Sequence, residues 1–202
     1  MAKIKLTKTE LKTQQDALKQ YRRYLPTLQI KKQQLQQEIR LSRERLEENL
    51  QERERLVETL AGWIALFGDD GMLQILRDGI RLERIRRGKM NIAGIMVPTF
   101  EGADFRMPEL DPVMTPWYAD DAAEALKQAV SLRAAGRIIM EQERMLSDEL
   151  RSTSQKVNLF EKVKIPECRE NIRQIRIYIT DQETAAVARS KIAKKKAVEA
   201  AS

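Results

Sequence analysis

Apolar residues return every three or four positions along both ends of this chain, and the pattern breaks in the middle. Between Ala122 and Lys196 its clearest part reads Thr153, Val157, Phe160, then Ile165, Cys168, Ile172, Ile175 and Ile179. Such spacing puts side chains on one narrow stripe of a helix, the width that a two-helix seam needs. At about 1.5 Å per residue, some seventy residues make a rod of roughly 110 Å. The stripe needs a second rod beside it, and the first sixty residues supply one. Thr7-Lys8-Thr9-Glu10 has the capping-box spacing, with Leu6 and Leu11 as the halves of a hydrophobic staple. Leu11, Leu18 and Leu25 recur at sevens, joined by Tyr21, Leu28 and Leu35. The stripe continues as Ile39, Leu46, Leu50, Val57 and Leu60. The shift from one frame to the next predicts a weakly twisted rod rather than a regular zipper.

Two prolines bear on these helices as expected structural kinks. Pro26 removes a hydrogen bond and clashes with the preceding turn; a bend is expected there, because Leu28 and Leu35 keep the earlier frame. At Pro166 the frame slips by one residue, at Lys164–Ile165, which predicts a kink on the second rod as well.

The middle is different material. Seven of the eight glycines fall between Gly62 and Gly102, and four of the six prolines between Pro98 and Pro116. Asp69-Asp70-Gly71 followed by Met72–Arg77 reads as a short capped helix. Ile80–Arg87 alternates like a half-exposed strand, Ile92–Phe105 is a second β-prone run, and Gly88 to Asn91 is the expected turn. Pro98 belongs at an edge or a break of that strand. Asp121-Ala122-Ala123-Glu124 caps the return helix. The fold class is therefore mainly α: a long antiparallel two-helix coiled coil with a small α+β insert at the turnaround. Its parts are an N-terminal helix over 1–62, an insert with a β-hairpin over 63–120, and a C-terminal helix over 121–202. An up-and-back chain brings its two ends together, and the segment from Arg189 to Ser202 reads as a frayed, basic tip.

Composition narrows the chemistry. One cysteine makes no internal disulfide, and the absence of histidine removes the usual general base and the usual metal ligand. Aromatics are only 5% and charged residues 33%, thin material for a wide core and typical of paired helices. Apolar runs near Ala61–Phe67 and Ile92–Pro98 are too short to span a bilayer, and no secretory signal is expected. Nothing matches a phosphate-binding loop. Asp69, Asp70 and Glu83 could form a carboxylate site, but a helix cap with surface charge explains them more simply. Cys168, on the stripe, reads as a small core residue rather than a nucleophile. The expectation is a non-catalytic protein with no cofactor and no metal. The net charge of +7 is spread along the chain. The run Arg84-Ile85-Arg86-Arg87-Gly88-Lys89 is the best nucleic-acid or membrane candidate, against the plainer reading of a solvated hairpin tip or a contact with an acidic protein. Arg86 and Arg87, with Lys191, Lys194, Lys195 and Lys196 of the tail, are the candidate partner contacts.

Three patches of the chain resemble the D subunit of the V-type/A-type rotary ATPases. Lys3-Ile4-Lys5-Leu6-Thr7-Lys8-Thr9-Glu10-Leu11 is similar to that family's N-terminal start. Lys156-Val157-Asn158-Leu159-Phe160-Glu161-Lys162-Val163-Lys164-Ile165-Pro166 resembles its C-terminal signature ending in Ile-Pro, with Phe160 a departure from it. Asn91-Ile92-Ala93-Gly94-Ile95-Met96-Val97-Pro98 resembles its central strand. Tyr24-Leu25-Pro26-Thr27-Leu28 and Thr115-Pro116-Trp117 are closer to a bacterial branch. The resemblance implies a central rotor shaft that carries torque between the nucleotide-hydrolysing hexamer and the membrane ion-translocating ring. It also implies partners: the catalytic A and regulatory B subunits, the small F subunit beside the coiled coil, and the subunit that links shaft to ring. It implies a cytoplasmic place, peripheral to the inner membrane, and neither nucleic-acid binding nor membrane insertion. Two other readings compete: the stalk protein of a flagellar or type III export ATPase, and a basic coiled coil that binds nucleic acid or a membrane surface. The glycine- and aromatic-rich insert argues against the first, and a salt-sensitive interaction with DNA or anionic lipid would mark the second.

Overall fold

A computed structural model describes residues 4–61, 80–107 and 119–200. The element order is α1 (Lys8–Ala61), β1 (Arg81–Ile92), β2 (Ile95–Arg106), α2 (Ala119–Leu159), a π-helical turn (Phe160–Lys164) and α3 (Ile165–Ala200). The expected short helix at Met72–Arg77, with Asp69 and Asp70, lies outside the described residues. No described helix is long and apolar enough to cross a membrane. The chain divides into two compact units: Met1–Lys32 with Ser152–Ser202, and Gln33–Arg151.

In the first unit the opening of α1 lies antiparallel to α3. Thr7 caps α1 as its spacing demands, with Oγ1 accepting from the Glu10 N–H at 3.2 Å. The Glu10 carboxylate accepts instead from Gln14 Nε2 at 2.8 Å. Lys8 pairs with Glu183 at 2.9 Å, Asn171 Nδ2 donates to Gln14 Oε1 at 3.3 Å, and the rings of Tyr21 and Phe160 lie 4.9 Å apart. Positions that rise on α1 thus meet positions that fall on the return helices. Thr153, Val157, Ile165, Cys168, Ile172 and Ile175 are buried and Phe160 and Ile179 half-buried, so the stripe read from the sequence is the seam.

The seam on α1 corrects the expected drift between frames. Its buried and half-buried positions include Leu11, Gln14, Leu18, Tyr21, Leu25, Leu28, Lys32, Leu35, Ile39, Ser42, Leu46, Asn49, Arg53, Leu56 and Leu60. These alternate spacings of three and four without interruption, a single heptad frame. Leu50 and Val57, expected on the stripe, are 44% and 62% exposed. The apparent drift arises because polar residues hold several seam positions while those two apolar side chains sit outside. Pro26 is exposed and α1 runs through it unbroken, so the helix neither ends nor restarts there.

The slip near Pro166 is a π-helical turn, in which the Ile165 N–H bonds to the Phe160 carbonyl five residues back. Val157 and Ile165, both buried, are eight positions apart where a heptad has seven. A π-turn takes up one residue more than an α-turn, and so returns Ile165 to the seam that Val157 leaves.

In the second unit β1 and β2 pair antiparallel from Arg81↔Arg106 to Ile92↔Ile95. The turn is Ala93-Gly94, not Gly88 to Asn91. Ala93 and Gly94 have φ of 51° and 84°, the left-handed pair that a two-residue hairpin turn requires, and Asn91 Oδ1 accepts from the Gly94 N–H at 2.9 Å. Gly88 serves a different need: a Cβ there would stand 2.1 Å from Glu101 Oε1 and 2.5 Å from Thr99 Oγ1 across the ladder. Pro98 lies inside β2 opposite Lys89, tolerated because each strand of a two-stranded sheet is an edge. The core of this unit joins Leu35 and Ile39 of α1, Ile92 and Val97 of the hairpin, and Leu146 of α2. Helix α2 starts at Ala119, which places Asp120 and Asp121 in its first turn. Asp121 is therefore not the cap; it meets the positive end of the helix dipole from inside the helix.

Candidate functional site

Among the described residues no group of three His, Cys, Asp or Glu side chains could hold a metal ion. Glu83 is exposed on β1. Cys168 is 5% exposed, and burial pushes its thiol up, away from the thiolate that a nucleophile needs. What the structure builds is a set of helix seams with charged surfaces along them.

The basic run Arg84–Lys89 lies in the body of β1, away from the Ala93-Gly94 turn, so it is not the hairpin tip. Two of its four cations have partners. Arg86 Nε lies 3.4 Å from Asp104 Oδ1 on the paired strand, and its guanidinium covers Gly102, where a Cβ would come within 2.6 Å of it. Arg87 Nη1 reaches Glu141 Oε2 of α2 at 3.2 Å. Beside that pair Gln142, 5% exposed, donates its amide to the Pro98 carbonyl. Arg87 and Gln142 thus tie the hairpin to α2 from neighbouring positions.

The tail carries Lys191, Lys194, Lys195 and Lys196, all exposed. It does not fray, since α3 is helical to Ala200; Ala185, Ala186, Ala188, Ala193 and Ala197 are strong helix formers with little side-chain entropy to lose. Lys8, the first residue of α1, pairs with Glu183, so α3 extends some seventeen residues, about 25 Å, beyond the start of its partner helix. Every side chain from Thr180 to Ala197 is exposed. The tail lysines belong to the first unit, and Arg86 and Arg87 to the second.

Around the π-turn the surface is held by short-range pairs. Lys164 bonds Glu167 at 3.2 Å, which raises the lysine's pKa. Arg173 and Gln174 together hold the Glu170 carboxyl down to about 2. The ring contact of Phe160 with Tyr21 sits at the first residue of the π-turn.

Polar residues of the second unit's seam escaped the sequence reading. Ser42 and Asn49 are 1% and 7% exposed, and neither Ser42 Oγ nor Asn49 Oδ1 has a hydrogen-bond partner among the described residues. Asn49 Nδ2 donates to the Leu132 carbonyl at 3.1 Å. Its Oδ1 occupies space left by Gly136, where a Cβ would come within 2.7 Å. The heptad spacing marks both positions once the frame is known. Gly136→Ala should displace Asn49 and cost about 1 kcal/mol despite the better helix propensity of alanine. Adding Asn49→Ala removes the clash, and the double variant should melt above Gly136→Ala; independent, additive effects would show that the two residues do not share this space.

Residues 10–195 match the family model for the D subunit of ATP synthase. The V-type ATP synthase D subunit of Borreliella burgdorferi is 43% identical over 195 residues, 96% of this chain and 95% of its own. The protein of the same name from Chlamydia trachomatis serovar L2 is 31% identical over 199 residues, 96% of each chain. That of Chlamydia caviae is 30% identical over 195 residues, 96% of this chain and 94% of its own. A match across nearly the whole chain, on helices with the seam and hairpin already described, places this protein in the family of ATP synthase D subunits.

Proposed function

We propose that this protein is the central rotor shaft of a V-type rotary ATPase, passing torque between a nucleotide-hydrolysing head and a membrane ion-translocating ring. The observation that carries the reading is the antiparallel pairing of α1 with α3, in a chain that matches the D-subunit family from residue 10 to residue 195. Torque needs two strands that cannot slip. A 3-4 seam with a polar lock at Asn49 and Gly136 resists sliding, because a shifted register would strand buried polar groups.

In this role the chain catalyses nothing itself. Its work is a difference in contact energy between the conformations of the subunits around it. The lone, basic end of α3 enters the hexamer of A and B subunits, and Lys191, Lys194, Lys195 and Lys196 contact the acidic or dipolar loops of its bore. Arg86 and Arg87 sit on the hairpin, in the insert over 63–120 that faces the subunit linking shaft to ring. The small F subunit binds beside the helix pair. The complex lies at the cytoplasmic face of the inner membrane.

Co-purification from the native cell tests the reading: nucleotide-binding subunits should come with the chain, and their absence would overturn it. A chain truncated after Arg189 should still assemble but lose coupling between ATP hydrolysis and ion pumping. Full ATP-driven pumping by that truncation would rule out the placement of the tail.

A further inference from the structure

A groove of about 400 Å³ runs along one side of the helix pair in the first unit. Lys19 and Arg22 of α1 and Arg169 and Arg176 of α3 line it, over Leu18 and Ile172. The four cations are exposed, no carboxylate lines the groove, and none of the four has an ion pair among the described residues. Some other cations of this unit are paired with carboxylates, as in Lys8–Glu183, Lys164–Glu167 and Arg173–Glu170. The spacing is ordered too. Lys19 and Arg22 are three apart and Arg169 and Arg176 seven apart, so each pair faces the same side of its helix. Like charges lining one groove repel, and an anion seated among them relieves that repulsion.

We propose that this groove seats an acidic, partly apolar segment of a partner protein. The proposal rests on the shaft reading for the partner's identity, which is then a subunit packed around the shaft. Three of the four cations are arginines, whose planar forks grip carboxylates in pairs. Leu18 and Ile172 give the floor an apolar strip, which suits a peptide with both carboxylates and aliphatic side chains. A nucleic-acid backbone would leave that strip uncovered, and no aromatic ring lines the groove to stack on a base. The groove is open and its cations are spread over two helical turns, so the carboxylates that match it are spread along a segment too.

The test uses the full chain and a fluorescein-labelled synthetic peptide of Glu and Leu at helical spacing, read by anisotropy. The wild type should bind it, more weakly as salt is raised. The double variant Arg169→Glu, Arg176→Glu changes only exposed residues and should bind about tenfold more weakly or worse. Arg133→Glu, Arg137→Glu, with the same change in net charge at exposed positions of α2, should bind as the wild type does. Equal binding by the wild type and the groove variant would overturn the proposal. Tighter binding of polyphosphate or duplex DNA than of the peptide would overturn the choice of occupant. A chain that binds the peptide through these residues, yet co-purifies with no nucleotide-binding subunit, would overturn the shaft reading and leave the groove's acidic-segment specificity supported.

Discussion

Leu146→Ala should lower the stability of the protein by about 2–5 kcal/mol, the loss expected where a buried leucine leaves a cavity that its neighbours cannot fill. Leu146 is 0% exposed. It stands where three elements meet, in one cluster with Leu35 and Ile39 of α1 and with Ile92 and Val97 beside the hairpin turn. The hairpin has only two strands, too few to be stable alone. Its hold on the helices is this cluster, the Gln142–Pro98 hydrogen bond and the half-exposed Arg87–Glu141 pair. An exposed ion pair contributes little, so removing Leu146 should loosen the hairpin first. Urea unfolding measures the total loss, and amide exchange in Ile92–Val97 should rise more than in the far part of α2. Met140→Ala, at a side chain 57% exposed, should stay within about 0.5 kcal/mol of the wild type. A loss below about 1 kcal/mol for Leu146→Ala would show that the cluster is not what holds the hairpin.

Deleting Val163 should be tolerated in the middle of a long helix, and deleting Gln174 should not. One residue fewer in an α-helix turns everything beyond it by about 100°. Past Gln174 that rotation takes Ile175, 0% exposed, and Ile179 off the seam, for a loss of about 3 kcal/mol. Val163 is different because it lies in the π-turn and is 48% exposed. Without it the interval from Val157 to Ile165 falls from eight to seven, and an α-turn serves. The melting temperature should fall clearly more for the Gln174 deletion than for the Val163 deletion, and the Val163 variant should lose the Ile165 to Phe160 hydrogen bond. Pro166→Ala should keep the π-turn, since the extra residue remains. Loss of the π-turn in a structure of Pro166→Ala would make the proline its cause, and equal damage from the two deletions would remove the frame argument.

The sequence by itself determined the helices, their partners in the seam and the place of the slip. Periodicity is local, and burying an apolar stripe is a demand that Thr153 through Ile179 make wherever they find a matching helix. Thr7 is a cap for the same reason: its side chain bonds an N–H three residues on. The tertiary structure alone decided which positions of α1 complete the seam. Ser42, Asn49 and Arg53 read as surface residues until the opposing helix encloses them, whereas Leu50 and Val57 read as core although they face outward. It also moved the hairpin turn from Gly88–Asn91 to Ala93-Gly94, because glycine at 88 answers to the side chains of Thr99 and Glu101 on the other strand, which no local rule registers. The groove is of this kind. Lys19 and Arg22 are ordinary helix-surface cations until α3 sets Arg169 and Arg176 opposite them, and charges far apart in sequence become a site only when the fold brings them together.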